Sequence, residues 1–204
     1  MPALGLTLLL IYGLLAVGVR MVVQIHRTGS TGFAGVRGEP VSVERLAGVL
    51  LAVAVLLCLA GTTLELAGVL GSISVLDGDL AGILGAALAS LGIAITAIAQ
   101  FAMGDAWRVG VDPSERTELV MNGPFTFVRN PIYAAMIPAF GGFALLSPNV
   151  VTIAGALLLL VALQLQTRFV EEPYLLAVHG GRYAGYAARV GRFLPGIGCL
   201  RTGS

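Results

Sequence analysis

Lysine is absent from this chain, and each of its twelve basic side chains is an arginine. Charge of either sign is scarce, at 11% of 204 residues, and the net charge is +1. A chain this close to neutrality has no surplus of cations with which to displace counterions from a polyanion, so a nucleic-acid partner is excluded. The two cysteines, Cys58 and Cys199, fall in an apolar run and in the last polar stretch. They are expected to lie apart in a reducing compartment, which excludes a disulfide. Cys199 also has the wrong followers for a prenylation box. His26 has no second His, Cys or carboxylate at ligand spacing, so no metal site is expected.

Apolar residues are plentiful instead, at 57% of the chain, too many to hide in one soluble core. Runs of about 20 apolar residues are long enough to cross the hydrocarbon layer as helices. Five are present, at about Ala3–Val23, Leu46–Leu70, Leu80–Phe101, Ile132–Leu146 and Val150–Phe169. Lipid cannot satisfy free backbone groups, so these runs must be helices, and the fold class is an all-α integral membrane protein with five transmembrane helices. The fourth run holds Pro138, Gly141 and Gly142, and is expected either to kink or to begin earlier, near Phe125. The first run has no basic residue before it and its arginines follow it, so it is expected to stay as a membrane helix rather than be cleaved as a signal peptide.

The arginines sort by side. Arg20, Arg27, Arg37 and Arg45 follow the first run, Arg108, Arg116 and Arg129 the third, and Arg168, Arg182, Arg189, Arg192 and Arg201 the fifth. The connections around Asp77 to Asp79 and Ser147 to Asn149 hold none. The positive-inside bias therefore assigns the polar segments to the cytoplasmic face, with the amino terminus outside and the carboxyl terminus inside, in an inner or plasma membrane.

Residues 1–101 read as a membrane scaffold of three helices, with a flexible cytoplasmic loop at His26–Glu44. Ala81, Gly85 and Ala89 recur every fourth residue in the third run, with Gly82 and Gly92 nearby, a pattern that lets helix backbones approach closely. Glu65, near the outer end of the second run, reads as an interfacial carboxylate. Residues 102–204 hold the polar content. One cluster spans Gln100 to Asn130 and includes Asp105, Trp107, Arg108, Asp112, Glu115, Arg116 and Glu118. The other spans Arg168 to Arg192 and includes Glu171, Glu172, His179, Tyr174, Tyr183 and Tyr186. The short link between the fourth and fifth helices brings both clusters to one face.

Two motifs stand out. In Gly123-Pro124-Phe125-Thr126-Phe127-Val128-Arg129-Asn130-Pro131-Ile132-Tyr133, proline suits the first helical position and asparagine the N-cap. Capping alone requires neither Arg129 nor Tyr133, and a helix N-terminus between polar groups seats an anion well. In Arg168-Phe169-Val170-Glu171-Glu172-Pro173-Tyr174, two carboxylates are expected at a helix C-terminus, where the dipole favours cations. Arg168 and Glu172, four apart, can pair on one face. Glu171 would then need another positive partner. The Tyr- and Arg-rich stretch that follows suits an amphipathic helix lying at the interface.

Taken in order, Gly-Pro-Phe, Val-Arg-Asn-Pro-Ile-Tyr, the Glu-Glu pair, Gly181-Arg182-Tyr183-Ala184-Gly185-Tyr186 and Arg192-Phe193-Leu194-Pro195 resemble the isoprenylcysteine carboxyl methyltransferase family and the wider group with bacterial phospholipid methyltransferases. Met103 through Arg108 also resembles that family's pattern, so the resemblance covers about residues 100–195. It implies S-adenosylmethionine bound at the cytoplasmic face by Arg129, Asn130, Tyr133, Glu171 and Glu172, and methyl transfer to a lipophilic acceptor. The family usually carries His where this chain has Asn130. Asparagine keeps a donor and an acceptor but cannot take up a proton near neutral pH, so a general-base role does not carry over.

On this reading Glu171 or Glu172 binds the cofactor's amino group or ribose, and Arg129 or the adjacent helix N-terminus takes its carboxylate. Tyr133 lines the cleft. Arg168, counted with the two glutamates as the catalytic set, orients that pair or an anionic acceptor. Two other readings compete: an NADPH-dependent reductase of the sterol and steroid reductase type, with a similar Asn-Pro-x-Tyr segment, and a membrane scaffold without catalysis.

Overall fold

The structure, a computed structural model, describes residues 1–32, 39, 41–108 and 118–200. Arg37, Asp112, Glu115, Arg116 and Arg201, together with most of the 26–44 loop's centre, lie outside the described residues. Those described are helical, with no strand among them. In chain order the helices are α1 Pro2–Gly13, α2 Arg20–Thr28, α3 Val43–Leu66, α4 Asp79–Met103, α5 Pro131–Leu146, α6 Val150–Leu165 and α7 Glu172–Ala187. A π turn, Leu14–Val19, joins α1 to α2, and another, Gln166–Glu171, joins α6 to α7.

Among the described residues, four helical stretches are long and apolar enough to cross a membrane: Pro2–Thr28, Val43–Leu66, Asp79–Ala106 and Val150–Ala187. These make the chain an integral membrane protein. Pro131–Leu146 is apolar but shorter. It begins at Pro131, and Phe125 belongs to a separate 3-10 turn, Gly123–Thr126.

The small-residue pattern does what its spacing implies. A methyl group built on Gly92 would stand 2.6 Å from the Ala139 Cβ, and one on Gly142 would stand 2.5 Å from the Ala89 nitrogen. So α4 and α5 pack backbone to backbone, which membrane helices achieve only with small residues at the seam. A second seam joins α3 to α6, where a methyl on Gly155 would stand 2.7 Å from Cys58 Sγ and one on Gly61 2.4 Å from Thr152 Oγ1.

Glu65 has a specific structural task. Its Oε2 accepts from Ser147 Oγ at 2.8 Å and Asn149 Nδ2 at 2.7 Å. Asn149 Oδ1 in turn accepts from the Thr152 N–H at 3.0 Å and so caps α6. This knot fastens the α5–α6 turn to the end of α3. The opposite end of the bundle gathers the arginines.

The last membrane stretch differs from expectation. It does not end at Phe169; helix continues through the glutamate pair to Ala187, with a break in helical geometry at Gly180 (φ 52°, ψ −129°). The reason lies in Pro173, which has no N–H and would crowd the carbonyl one turn back in a regular α-helix. Widening the preceding turn to π geometry absorbs it. Glu171 and Glu172 therefore do not face a helix C-terminus, and the dipole argument made for them does not apply. Beyond the break at Gly180 the Tyr- and Arg-rich stretch forms its own helical segment. Tyr183, Tyr186 and Ala187 are buried and form a small core with Leu119, Met121, Leu175 and Val190.

Candidate active site

The Glu-Glu pair splits by direction. Glu172 is only 4% exposed. Its Oε1 accepts from Arg129 Nη2 at 2.5 Å and Arg192 Nε at 2.8 Å, and its Oε2 from Arg192 Nη2 at 2.8 Å. Glu172 thus sits between two guanidinium groups, one of them bidentate, the geometry that suits a planar fork. That bonding holds the Arg192 pKa above its ordinary value. Glu171 has a different neighbourhood. Its Oε1 accepts from the Tyr133 hydroxyl and, at 3.4 Å, from Gln166 Nε2.

Arg129 is 5% exposed and almost fully engaged. Besides Glu172, its Nη1 donates to the carbonyls of Ala187, at 3.0 Å, and Val190, and its Nη2 donates to Gly198 at 3.0 Å. Only Nε is without a partner, and it is buried. The arginine is first of all a clamp that ties the α5 entrance to the chain after α7. Backbone bonds from Arg129 N to Gly191 O, 2.8 Å, and from Asn130 N to Arg192 O, 3.1 Å, extend the same junction. Gly191 is required there, because a methyl on it would meet Leu194 O at 2.0 Å.

Asn130 occupies the N-cap position of α5, and its carbonyl accepts from Ala134 N at 2.9 Å. Its side chain makes no capping bond. Instead Nδ2 donates to Arg192 O at 3.3 Å. The expectation of a side-chain cap is corrected: the amide turns instead to the Gly191–Arg192 segment, where the Arg192 carbonyl accepts from Nδ2.

A cavity of about 590 Å³ opens beside this junction. That volume lies within the range typical of small-molecule sites, roughly 300–1,000 Å³. Arg108, Arg129, Asn130, Tyr133, Glu171 and Tyr174 line its polar end. Arg108 Nη2 donates to the Tyr174 hydroxyl at 3.3 Å, and its guanidinium stands 5.7 Å from that ring's centre. The cavity then continues past Met136 and Phe140 to Leu9, Leu51 and Leu59, an apolar end at the depth of the helices. Leu10, Leu14 and Val17 line it and are also exposed on the bundle's outer surface.

Of the residues singled out in the sequence, Arg129, Asn130, Tyr133 and Glu171 come together on this cavity. Glu172 lies behind them with both oxygens committed to arginines. Arg168 is exposed and does not line the cavity. The expected Arg168–Glu172 pair does not form, because the π turn between them alters the four-residue register and Arg129 and Arg192 take the carboxylate. Arg192, Trp107 and Gln166 were not singled out as site residues. For Arg192 the signal was present: a buried carboxylate requires a cation, and the adjacent Gly191 allows the close return of chain that delivers one. Among the described residues no group of His, Cys, Asp and Glu has metal-binding geometry.

No curated protein matches the chain. A family model described as phospholipid methyltransferase matches residues 80–182, from the start of α4 through most of α7, a span that contains Arg129, Asn130, Tyr133, Arg168, Glu171 and Glu172. Since that match takes in half of the chain and the cavity's polar wall with it, this protein belongs to the phospholipid methyltransferase family.

Proposed function

We propose that this protein transfers a methyl group from S-adenosylmethionine to a lipophilic acceptor resident in the membrane. The observation that carries the reading is one cavity with two chemistries: a polar end at the arginine-rich face, and an apolar end that reaches exposed side chains of α1. When bound, S-adenosylmethionine supplies an electrophilic methyl on a sulfonium, whose positive charge is lost as the acceptor attacks. Glu171 holds the cationic part of the cofactor, with Tyr133 and Gln166 fixing its carboxylate. Arg129, clamped at the cavity wall, adds positive charge beside the α5 N-terminus, where free N–H groups favour an anionic group. Tyr133 and Tyr174 line the same end of the cavity. Glu172 positions Arg129 and does not touch ligand. Arg168, exposed and off the cavity, has no part in binding.

Five helices cross the bilayer in this reading, with α5 as the short crossing and the arginine-rich end in the cytoplasm. The soluble cofactor enters from that side and the acceptor from the lipid, past Leu10, Leu14 and Val17. Holding donor and acceptor in line is the chief catalytic task, worth several kcal/mol of barrier. Calorimetric titration of detergent-purified protein with S-adenosylhomocysteine tests the assignment. Saturable binding that is lost in Glu171→Gln and kept in Arg168→Ala is the expected result. A melting temperature raised by NADPH but not by S-adenosylhomocysteine would refute it, since only a ligand of the native state stabilises.

A further inference from the structure

Outside the cavity wall, α2 presents one edge to the segment that ends α4. Arg20, Gln24 and Arg27 recur on one helical face, and all three reach the Gly104–Asp105 turn. Arg20, 1% exposed, donates through Nη2 to the Gly104 carbonyl. Gln24 Nε2 donates to the Asp105 carbonyl at 2.9 Å, and Arg27 Nε pairs with Asp105 Oδ1 at 2.6 Å. Gly104 has φ +56°, a conformation that a side chain would strain, so α4 breaks sharply there. Directly after the turn come Ala106, Trp107 and Arg108, and these three line the cavity. The Arg20 guanidinium lies 4.8 Å from the Trp107 ring centre and 5.8 Å from that of Phe101.

Arg20 is costly where it stands. Its Nε and Nη1 are buried without partners, and desolvating a cation without full compensation disfavours the folded state. Proteins tolerate such departures mainly at working sites. Nothing about spanning a membrane requires α2 to grip this turn. We propose that Arg20 and Gln24, on one edge of α2, form a positioning element for methyl transfer, fixing the Trp107 wall of the cavity and thereby setting cofactor affinity. Arg20 does not line the cavity; it acts through Trp107 and the Gly104 carbonyl. The inference rests on the S-adenosylmethionine reading above and extends it to residues outside the 80–182 span.

Trp107 is the sole tryptophan of the chain, so its fluorescence reports on that wall alone. The test compares wild type with Arg20→Lys, which keeps the charge but not the planar stacking, and with Gln24→Leu, which removes one carbonyl grip and carries the test should the first variant not fold. Acrylamide quenching of Trp107 is expected to rise in both, and S-adenosylhomocysteine affinity by calorimetry to fall about tenfold, within the range of coupling between adjacent sites. Saturating S-adenosylhomocysteine is expected to bring quenching back to the wild-type level, and the fall in affinity is expected without a matching fall in the ligand-free melting temperature, which a merely structural defect would not allow. Unchanged affinity in variants whose quenching has risen overturns the positioning role and leaves the cofactor reading intact. Absence of any S-adenosylhomocysteine binding by the wild type overturns both.

Discussion

Replacing Glu172 by glutamine should unfold this protein far more readily than the same change at the adjacent Glu171. Glutamine keeps the volume, so no cavity term enters, and the change isolates the carboxylate's charge and its second acceptor. At Glu172 three N–H groups converge, from Arg129 at 2.5 Å and from Arg192 at 2.8 Å twice. The side chains of this triad are 6%, 1% and 12% exposed for Glu172, Arg129 and Arg192. Removing one partner of such a buried set costs about 3–5 kcal/mol, because the remaining charges stay desolvated and, here, repel each other. For a chain of this length that corresponds to a fall of roughly 6–20 °C in melting temperature. Glu171→Gln forfeits only bonds to neutral donors, about 1 kcal/mol each, and should melt within a few degrees of wild type while losing cofactor binding. Circular dichroism melts in one detergent, with S-adenosylhomocysteine titrations on the same samples, provide both numbers. Equal melting temperatures for the two variants would refute the division of labour between the glutamates.

Tyr133→Phe removes the hydroxyl that holds Glu171 and should weaken S-adenosylhomocysteine binding about three- to tenfold by calorimetry, the worth of one hydrogen bond, with little change in melting. Gly61→Ala should lower stability by about 1–3 kcal/mol as an overpacked seam, since its methyl would stand 2.4 Å from Thr152 Oγ1; thermal melts check this, and binding at the distant polar end should be unaffected. Arg27→Ala should change quenching of Trp107 little, because the Arg27–Asp105 pair is more than half exposed and such pairs contribute at most about 1 kcal/mol. Asn130→Ala loses one long side-chain bond while the Asn130 N–H keeps its own to Arg192 O, so refolding yield and melting should stay near wild type.

That the chain folds into long apolar helices was legible because such runs have one structural solution in lipid. The α4 seam was legible too, since Gly85, Ala89 and Gly92 carry their packing in their size. The end of α6 was not. Pro173 after two acids looks like a stop, and only the π turn before it, invisible in composition, lets the helix pass. Arg129 shows the same limit for the site. A sequence reveals a charge beside a helix start, but not that Ala187, Val190, Gly198 and Glu172 absorb four of the guanidinium's hydrogens. Glu171 and Glu172 are adjacent and chemically identical; only the fold tells the one facing the cavity from the one tied to two arginines.

The knot of Glu65, Ser147 and Asn149 has a topological consequence. Beyond Leu9, Leu59 and Phe140, the bundle closes into contacts such as Gly5 on Leu146 and Gly61 on Thr152, so the chamber is a blind pouch rather than a conduit. Whatever enters must leave through the mouth it came by, or sideways between α1 and α3. Under the proposed function, a product formed in such a pouch would return to the sheet of lipid that supplied its precursor.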